Sequence, residues 1–141
     1  MTLHRATSAH GAVLAATHEL CFPAGEGWST EVFATQLNLP GVFGLIAPDQ
    51  GLVLARVAAD EAEILSLCVV PEVRRQGIAR KLLLGAEHIA ADWGAITLFL
   101  EVSDRNAAGL QLYQSSGFSQ VGLRRRYYSD GSEGLILRKS I

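Results

Sequence analysis

Residues 69–84 read VVPEVRRQGIARKLLL. An apolar strand ends at Pro71, a loop carries Arg74, Arg75, Gln76 and Gly77, and from about Ile78 apolar residues recur at helical spacing. A strand, a cationic glycine loop and a helix N-terminus, in that order, expose unpaired backbone N–H groups at the positive end of a helix dipole. That is an anion site, so the stretch predicts a phosphate-bearing ligand.

Working outward, residues 62–70 predict a central strand, because apolar residues occupy both alternating sets. Before it, VFGLIA, a Pro48-Asp49-Gln50-Gly51 turn and LVLARVA read as a hairpin. After it, Ile78, Leu82, Ile89 and Trp93 form one helical stripe closed by Gly94, and residues 95–102, AITLFLEV, form a second buried strand with a carboxylate, Glu101, near its end. Asn106 is placed to cap a short helix with Ala107, Leu110 and Tyr113 on one face. A strand over 118–128, a turn at 129–132 and a last strand from Leu135 complete the chain. At the other end, residues 2–6 read as a strand. Ser8 caps a helix running to about Phe22 with Val13, Leu14, Thr17, Leu20 and Cys21 as its stripe. Ser29 caps a second helix carrying Val32, Phe33, Gln36 and Leu37, and Trp28 between the two reads as an exposed aromatic.

This order predicts one α/β (α+β) domain over 1–141 with a mixed sheet and helices on both faces. The strand ending at Val70 and the strand at Ala95 are joined by a right-handed crossover and form a central parallel pair. Ligands of such sheets bind at the carboxyl ends of strands, which brings the glycine loop and Glu101 to one edge.

Composition narrows the class. With 49% apolar and 18% charged residues and a net charge of −2, the chain is neither disordered nor a general nucleic-acid binder. Cys21 and Cys68 lie in apolar stretches with no CxxC pair, which predicts structural thiols in a reducing compartment, the cytoplasm. His4, His10, His18 and His88 have no ligand spacing, so no metal is expected. No apolar run reaches the ~18 residues that span a bilayer, and GAVLAA near the start is too short for a signal segment.

Arg74-x-x-Gly77-x-Ala79 matches the [QR]-x-x-G-x-[GA] signature of the GNAT acetyltransferases, and the element order matches their fold along nearly the whole chain. LEV at 100–102, Asn106-Ala107-Ala108, LYQSSGF at 112–118 and RRRYY at 124–128 before a DG turn resemble one branch more closely, the ribosomal-protein alanine N-acetyltransferases. The resemblance implies the GNAT fold, a mostly antiparallel seven-stranded sheet with its parallel pair at the acetyl-CoA site. It implies acetyl-CoA as donor and, as acceptor, a protein N-terminal α-amine, that of an alanine-first small-subunit ribosomal protein. It also implies a monomer or weak homodimer acting without metal, membrane or direct nucleic-acid contact.

Residue by residue, the resemblance assigns Arg74, Arg75, Gln76, Gly77, Ile78, Ala79 and Arg80 to the pyrophosphate and neighbouring phosphate. Cys68, Val69 and Val70 hold the thioester arm, where a bulge or splay would free backbone N–H groups. Glu101 stands at the general-base position and Tyr113 at the general-acid position. Each residue also has a plainer reading: Glu101 paired with an arginine such as Arg124, and Tyr113 as core. Asn106 is both a helix cap and a match for a CoA-contacting asparagine. Trp28, Tyr127 and Tyr128 are the acceptor contacts, the two tyrosines reading equally as cross-strand aromatics. Two departures fall on the acceptor side: the segment PAGEGW at 23–28 is longer than in that branch, and Gly134 replaces an acidic residue. The competing readings are a GNAT enzyme of a small-molecule amine and a non-catalytic acyl-CoA-binding module. Glu101 and Tyr113 together favour an enzyme, since binding alone needs neither.

Overall fold

The computed structural model describes residues 2–22, 25–125, 127–128 and 130–141. Seven strands form one sheet in the order β1-β2-β3-β4-β5-β7-β6, where β1 is His4–Ala6, β2 Val42–Ala47, β3 Gly51–Ala58, β4 Glu61–Val69, β5 Thr97–Ser103, β6 Ser119–Arg124 and β7 Gly134–Ser140. The β4–β5 pair is parallel and the other neighbours are antiparallel. Helices α1 (Gly11–Cys21) and α2 (Thr30–Leu37) cover one face; α3 (Ile78–Asp92) and α4 (Ala107–Ser115) cover the other.

The two faces have separate cores. Leu14 of α1 and Phe33 of α2 pack on Val42, Ile46, Leu52, Leu54 and Cys68. Ile78, Leu82, Leu83 and Ala86 of α3 and Tyr113 of α4 pack on Val53, Ala55, Ile64, Val69, Leu98, Leu100 and Val102. Burying large aliphatic side chains on both sides, at roughly 1.5–3 kcal/mol each, explains why the central strands read as continuous apolar runs.

Local capping follows the sequence closely. Ser29 Oγ accepts from Val32 N–H at 3.2 Å, Asn106 Oδ1 accepts from Gly109 N–H at 2.9 Å, and Gly94 takes φ 98° just past α3. Four expectations change. The first helix is preceded by a 3-10 turn, Ser8–His10, and its buried line is Gly11, Leu14, Thr17 and His18, leaving Val13 and Leu20 exposed. Trp28 is half-buried, its ring 5.4 Å from that of His18 and 5.3 Å from that of Phe33. β6 ends at Arg124, so Tyr127 and Tyr128 follow the strand and are not cross-strand partners. The expected turn at 129–132 lies partly outside the described residues.

The fourth change positions the site. β4 carries its irregularity at Leu65, not at Cys68–Val70: Leu54 pairs with Ser66 but Ala55 with Ile64, so one extra residue interrupts the ladder. Before it, Ala62 and Ile64 face α3; after it, Leu67 and Val69 do, while Ser66 and Cys68 face α1 and α2. Without the bulge, Ser66 would share the α3 face with Ile64.

Candidate active site

The β4–β5 ladder covers only Glu61–Glu63 against Thr97–Phe99. Beyond it the strands part, and a cleft of about 500 Å³ opens between Ile64–Leu67 on one side and Leu100–Ser103 on the other. Asn106, Tyr113, Tyr128, Asp130, Phe22 and Glu26 complete its walls. Val70 N–H donates to Gln50 O on the β3 side at 2.8 Å. Alternation along a strand therefore turns the N–H groups of Leu67 and Val69 away from β3, toward the opening. Cys68 and Val70 bond toward β3 instead, so of the three residues expected at this edge only Val69 presents its amide there, and Leu67 joins it.

Glu101 and Tyr113 meet the cleft from opposite faces of the sheet. Leu98, Leu100 and Val102 belong to the α3/α4 core, so Glu101 points to the α1/α2 face. Tyr113 sits in the α3/α4 core. Glu101 Oε1 pairs with Arg124 Nε at 3.1 Å, the plainer of its two predicted roles. Its other oxygen, Oε2, is buried and has no hydrogen-bond partner among the described residues. A Cβ at Gly134 would press on the Tyr127 ring at 3.3 Å and stand in ordinary contact with that oxygen at 3.5 Å. Tyr113 is 9% exposed, and burial, with Tyr128 beside it, pushes its phenol up to about 12. Its ring also packs edge-on against Phe118, so its core role holds as well.

Tyr128 lines the cleft, and burial followed by the charge of Glu101 raises its phenol. Tyr127 lies outside, exposed beneath the Arg124 guanidinium at 5.1 Å. Ser103 donates to Ser132 Oγ at 2.7 Å and Arg105 to Asp130 O at 3.0 Å, tying the β6–β7 connection to the end of β5. Ser132 in turn hydrogen-bonds Asp130, which holds its carboxyl below the usual range.

The glycine loop lies beyond the cleft, where β4 runs into α3. Arg75 has φ 66° and Gly77, at the N-cap of α3, φ 80°, and nothing stands within 4 Å of where a Gly77 Cβ would be. The left-handed Gly77 followed directly by the right-handed first turn of α3 turns successive N–H groups to one side, the geometry of an anion nest. Arg75 and Gln76 are exposed. Arg74 Nε donates to Val69 O at 2.9 Å, and Arg80 donates to Ser115 Oγ at 2.7 Å, bracing α3 against the end of α4. Ile78 is core and Ala79 packs beside it. The loop and Glu101 occupy the same end of the sheet without sharing a pocket lining.

One buried group carries no signal in the sequence. His18 is 2% exposed and bridges the loop that ends at Trp28 to β4: Trp28 N–H donates to its Nδ1 at 2.9 Å, and Nε2 lies 2.9 Å from Ser66 Oγ. A lone histidine in a helix gives no signal of this. Cys21 and Cys68 are free thiols in hydrogen-bond contact. That contact together with burial drives the Cys68 thiol far up, which rules against Cys68 as a nucleophile. Among the described residues, no group of three or more His, Cys, Asp or Glu could hold a metal, and no helix is long and apolar enough to cross a membrane.

Beyond its bulge the parallel pair parts to leave a free strand edge, with a carboxylate and a phenol on opposite sides of the gap and the glycine loop at the same end of the sheet. The profile of the Acetyltransferase (GNAT) family matches residues 14–118, and the chain belongs to that family and is an N-acetyltransferase. It is 36% identical over 124 residues to the [Ribosomal protein bS18]-alanine N-acetyltransferase of Escherichia coli K12, covering 78% of each chain. It is 39% identical over 87 residues to the N-alpha-acetyltransferase RimI of Mycobacterium tuberculosis, covering 61% of this chain and 53% of that one. The crystal structure of the ribosomal-protein-S18-alanine N-acetyltransferase from Escherichia coli superimposes with a TM-score of 0.87 at 28% identity, over 99% of this chain and 93% of that one.

Proposed function

We propose that this chain, as a single-domain cytoplasmic monomer or weak homodimer, acetylates the α-amine of a protein N-terminus by direct transfer from acetyl-CoA. The acceptor on this reading is an alanine-first small-subunit ribosomal protein. The observation that carries it is the placement of Glu101 and Tyr113 on opposite faces of the cleft. An amine entering from the α1/α2 face meets the carboxylate, while a leaving group on the α3/α4 face meets the phenol.

Acetyl-CoA, when bound, supplies an acetyl group activated as a thioester. The residues present fit it. The open space at Gly77 and the N–H groups of the first turn of α3 suit a pyrophosphate, with the exposed Arg75 beside them. The amides of Leu67 and Val69 suit an arm laid along β4 as an added strand, and one of them is free to polarise a carbonyl oxygen. Asn106 lines the cleft while capping α4, so both of its predicted roles are compatible.

An α-amine has a pKa of about 8 and is mostly protonated at neutrality, so it must lose a proton before it attacks. Arg124 engages Glu101 Oε1, which leaves Oε2 to take that proton, directly or through water. Tyr113 Oη keeps its proton at any working pH. A phenol so reluctant to ionise serves the departing sulfur first as a hydrogen-bond donor. Of the three acceptor contacts only Tyr128 lines the cleft; Trp28 packs behind it on His18 and Phe33, and Tyr127 lies outside, so both would meet an acceptor further from its reacting amine.

Turnover of acetyl-CoA against alanine-first peptides and against small amines, with Glu101→Gln alongside, tests this reading. It predicts turnover on the peptides, lost in the variant. Activity confined to small amines would replace it with the small-molecule reading. Tight CoA binding with no turnover would favour the silent module.

A further inference from the structure

The buried His18 and the half-buried Ser66 form a pair on the proposed acceptor side of the cleft. Trp28 N–H can only donate, so Nδ1 of His18 carries no proton. Burial pushes the imidazole down to about 4, so the ring is neutral near neutrality and its one hydrogen sits on Nε2. That hydrogen points at Ser66 Oγ, 2.9 Å away. The serine oxygen thus accepts from His18, and its own hydrogen is left to donate elsewhere. Ser66 lines the cleft, and the bulge at Leu65 has turned it to the face that Glu101 also occupies.

We propose that Ser66 is an acceptor-binding residue, its hydroxyl donating to the carbonyl oxygen next to the reacting α-amine, and that His18 positions it. The inference rests on the α-amine reading above. An amino-terminal residue offers, beside the nitrogen that Glu101 deprotonates, a carbonyl two bonds further on. A donor across the gap from the carboxylate holds that carbonyl and thereby aims the nitrogen. His18 serves both walls at once. It fixes the hydroxyl on β4 and, through Trp28 N–H, the loop that closes the α1/α2 side, with its ring packed among Phe22, Trp28 and Phe33.

The test compares three acceptors, an alanine-first hexapeptide, alaninamide and isopropylamine, with wild type, Ser66→Ala, Ser66→Thr and His18→Phe. The expected result is an acceptor KM raised about tenfold in Ser66→Ala for the two carbonyl-bearing acceptors and unchanged for isopropylamine. The KM for acetyl-CoA stays constant, and Ser66→Thr, which keeps the hydroxyl, restores the acceptor KM. His18→Phe keeps the ring packing but loses both hydrogen bonds. On that background Ser66→Ala adds less than about twofold, because the donor is already misdirected. Wild-type activity on alaninamide but not on peptides, with the same Ser66 pattern, would remove the protein N-terminus while the serine contact stands. An unchanged acceptor KM in Ser66→Ala, or a loss seen equally with isopropylamine, would overturn the contact and leave the N-terminal reading intact. Activity on isopropylamine alone would overturn both.

Discussion

The two sides of the cleft are built differently. The proposed donor side is almost one piece of chain: the end of β4 at the cleft and, beyond it, a loop with two left-handed residues and the first turn of α3, all within residues 67–80. Its recognition groups are largely backbone N–H, aimed by local conformation. The proposed acceptor side is assembled from His18 on α1, Trp28 after it, Ser66 at a bulge in β4, Glu101 on β5 and Tyr128 beyond β6. Its groups are side chains brought together only by the sheet. A backbone-built site can be moved by one glycine, whereas a side-chain site fails residue by residue.

That contrast is tested most forcefully at Glu101. Glu101→Gln should lower kcat by about 10²–10⁴-fold with the acetyl-CoA KM unchanged, read by steady-state kinetics. A loss below about tenfold would move the base elsewhere and erase the division between the faces. On the donor side, Gly77→Val forces a β-branched residue into φ 80°. Strain of ~1–3 kcal/mol should raise the acetyl-CoA KM by roughly five- to a hundredfold and leave the acceptor KM alone. A shift in the acceptor KM instead would show that the two sides are not separate. Tyr113→Phe should cost about tenfold in kcat, by the same factor at every pH up to about 10, because the phenol stays protonated there. A loss that varies with pH across that range would mean the phenol ionises in the working enzyme.

The smallest effect concerns stability. His18 titrates at about 4 in the fold against 6.5 when exposed, so below pH 6.5 the unfolded chain binds the extra proton and stability falls with pH. Roughly 1 kcal/mol should be lost by about pH 5.5, measured as the urea midpoint, and His18→Phe should lack that slope.

The same contrast explains what the sequence discloses. Gly77, Ser29, Asn106 and Gly94 act through their own neighbours, so each was readable where it stands. The order of elements and the parallel pair followed from periodicity and the right-handed crossover. What was hidden depends on partners far along the chain. Strict alternation put Ser66 on the same face as Ile64, and only the extra residue at Leu65 reverses it. His18 lies 48 residues from Ser66, with no spacing to betray the pair. The end of β6 was misplaced because RRRYY has strand propensity, yet Arg124 turns to Glu101 and Tyr127 to Arg124.

The most direct measurement locates the acetyl group. An alanine-first peptide that also contains a lysine is incubated with the enzyme and acetyl-CoA, and the modified position is read by tandem mass spectrometry. The account predicts one acetyl group, on the α-amine, absent with Glu101→Gln. Acetyl found only on the lysine side chain, or none on a peptide while small amines are acetylated, would contradict it.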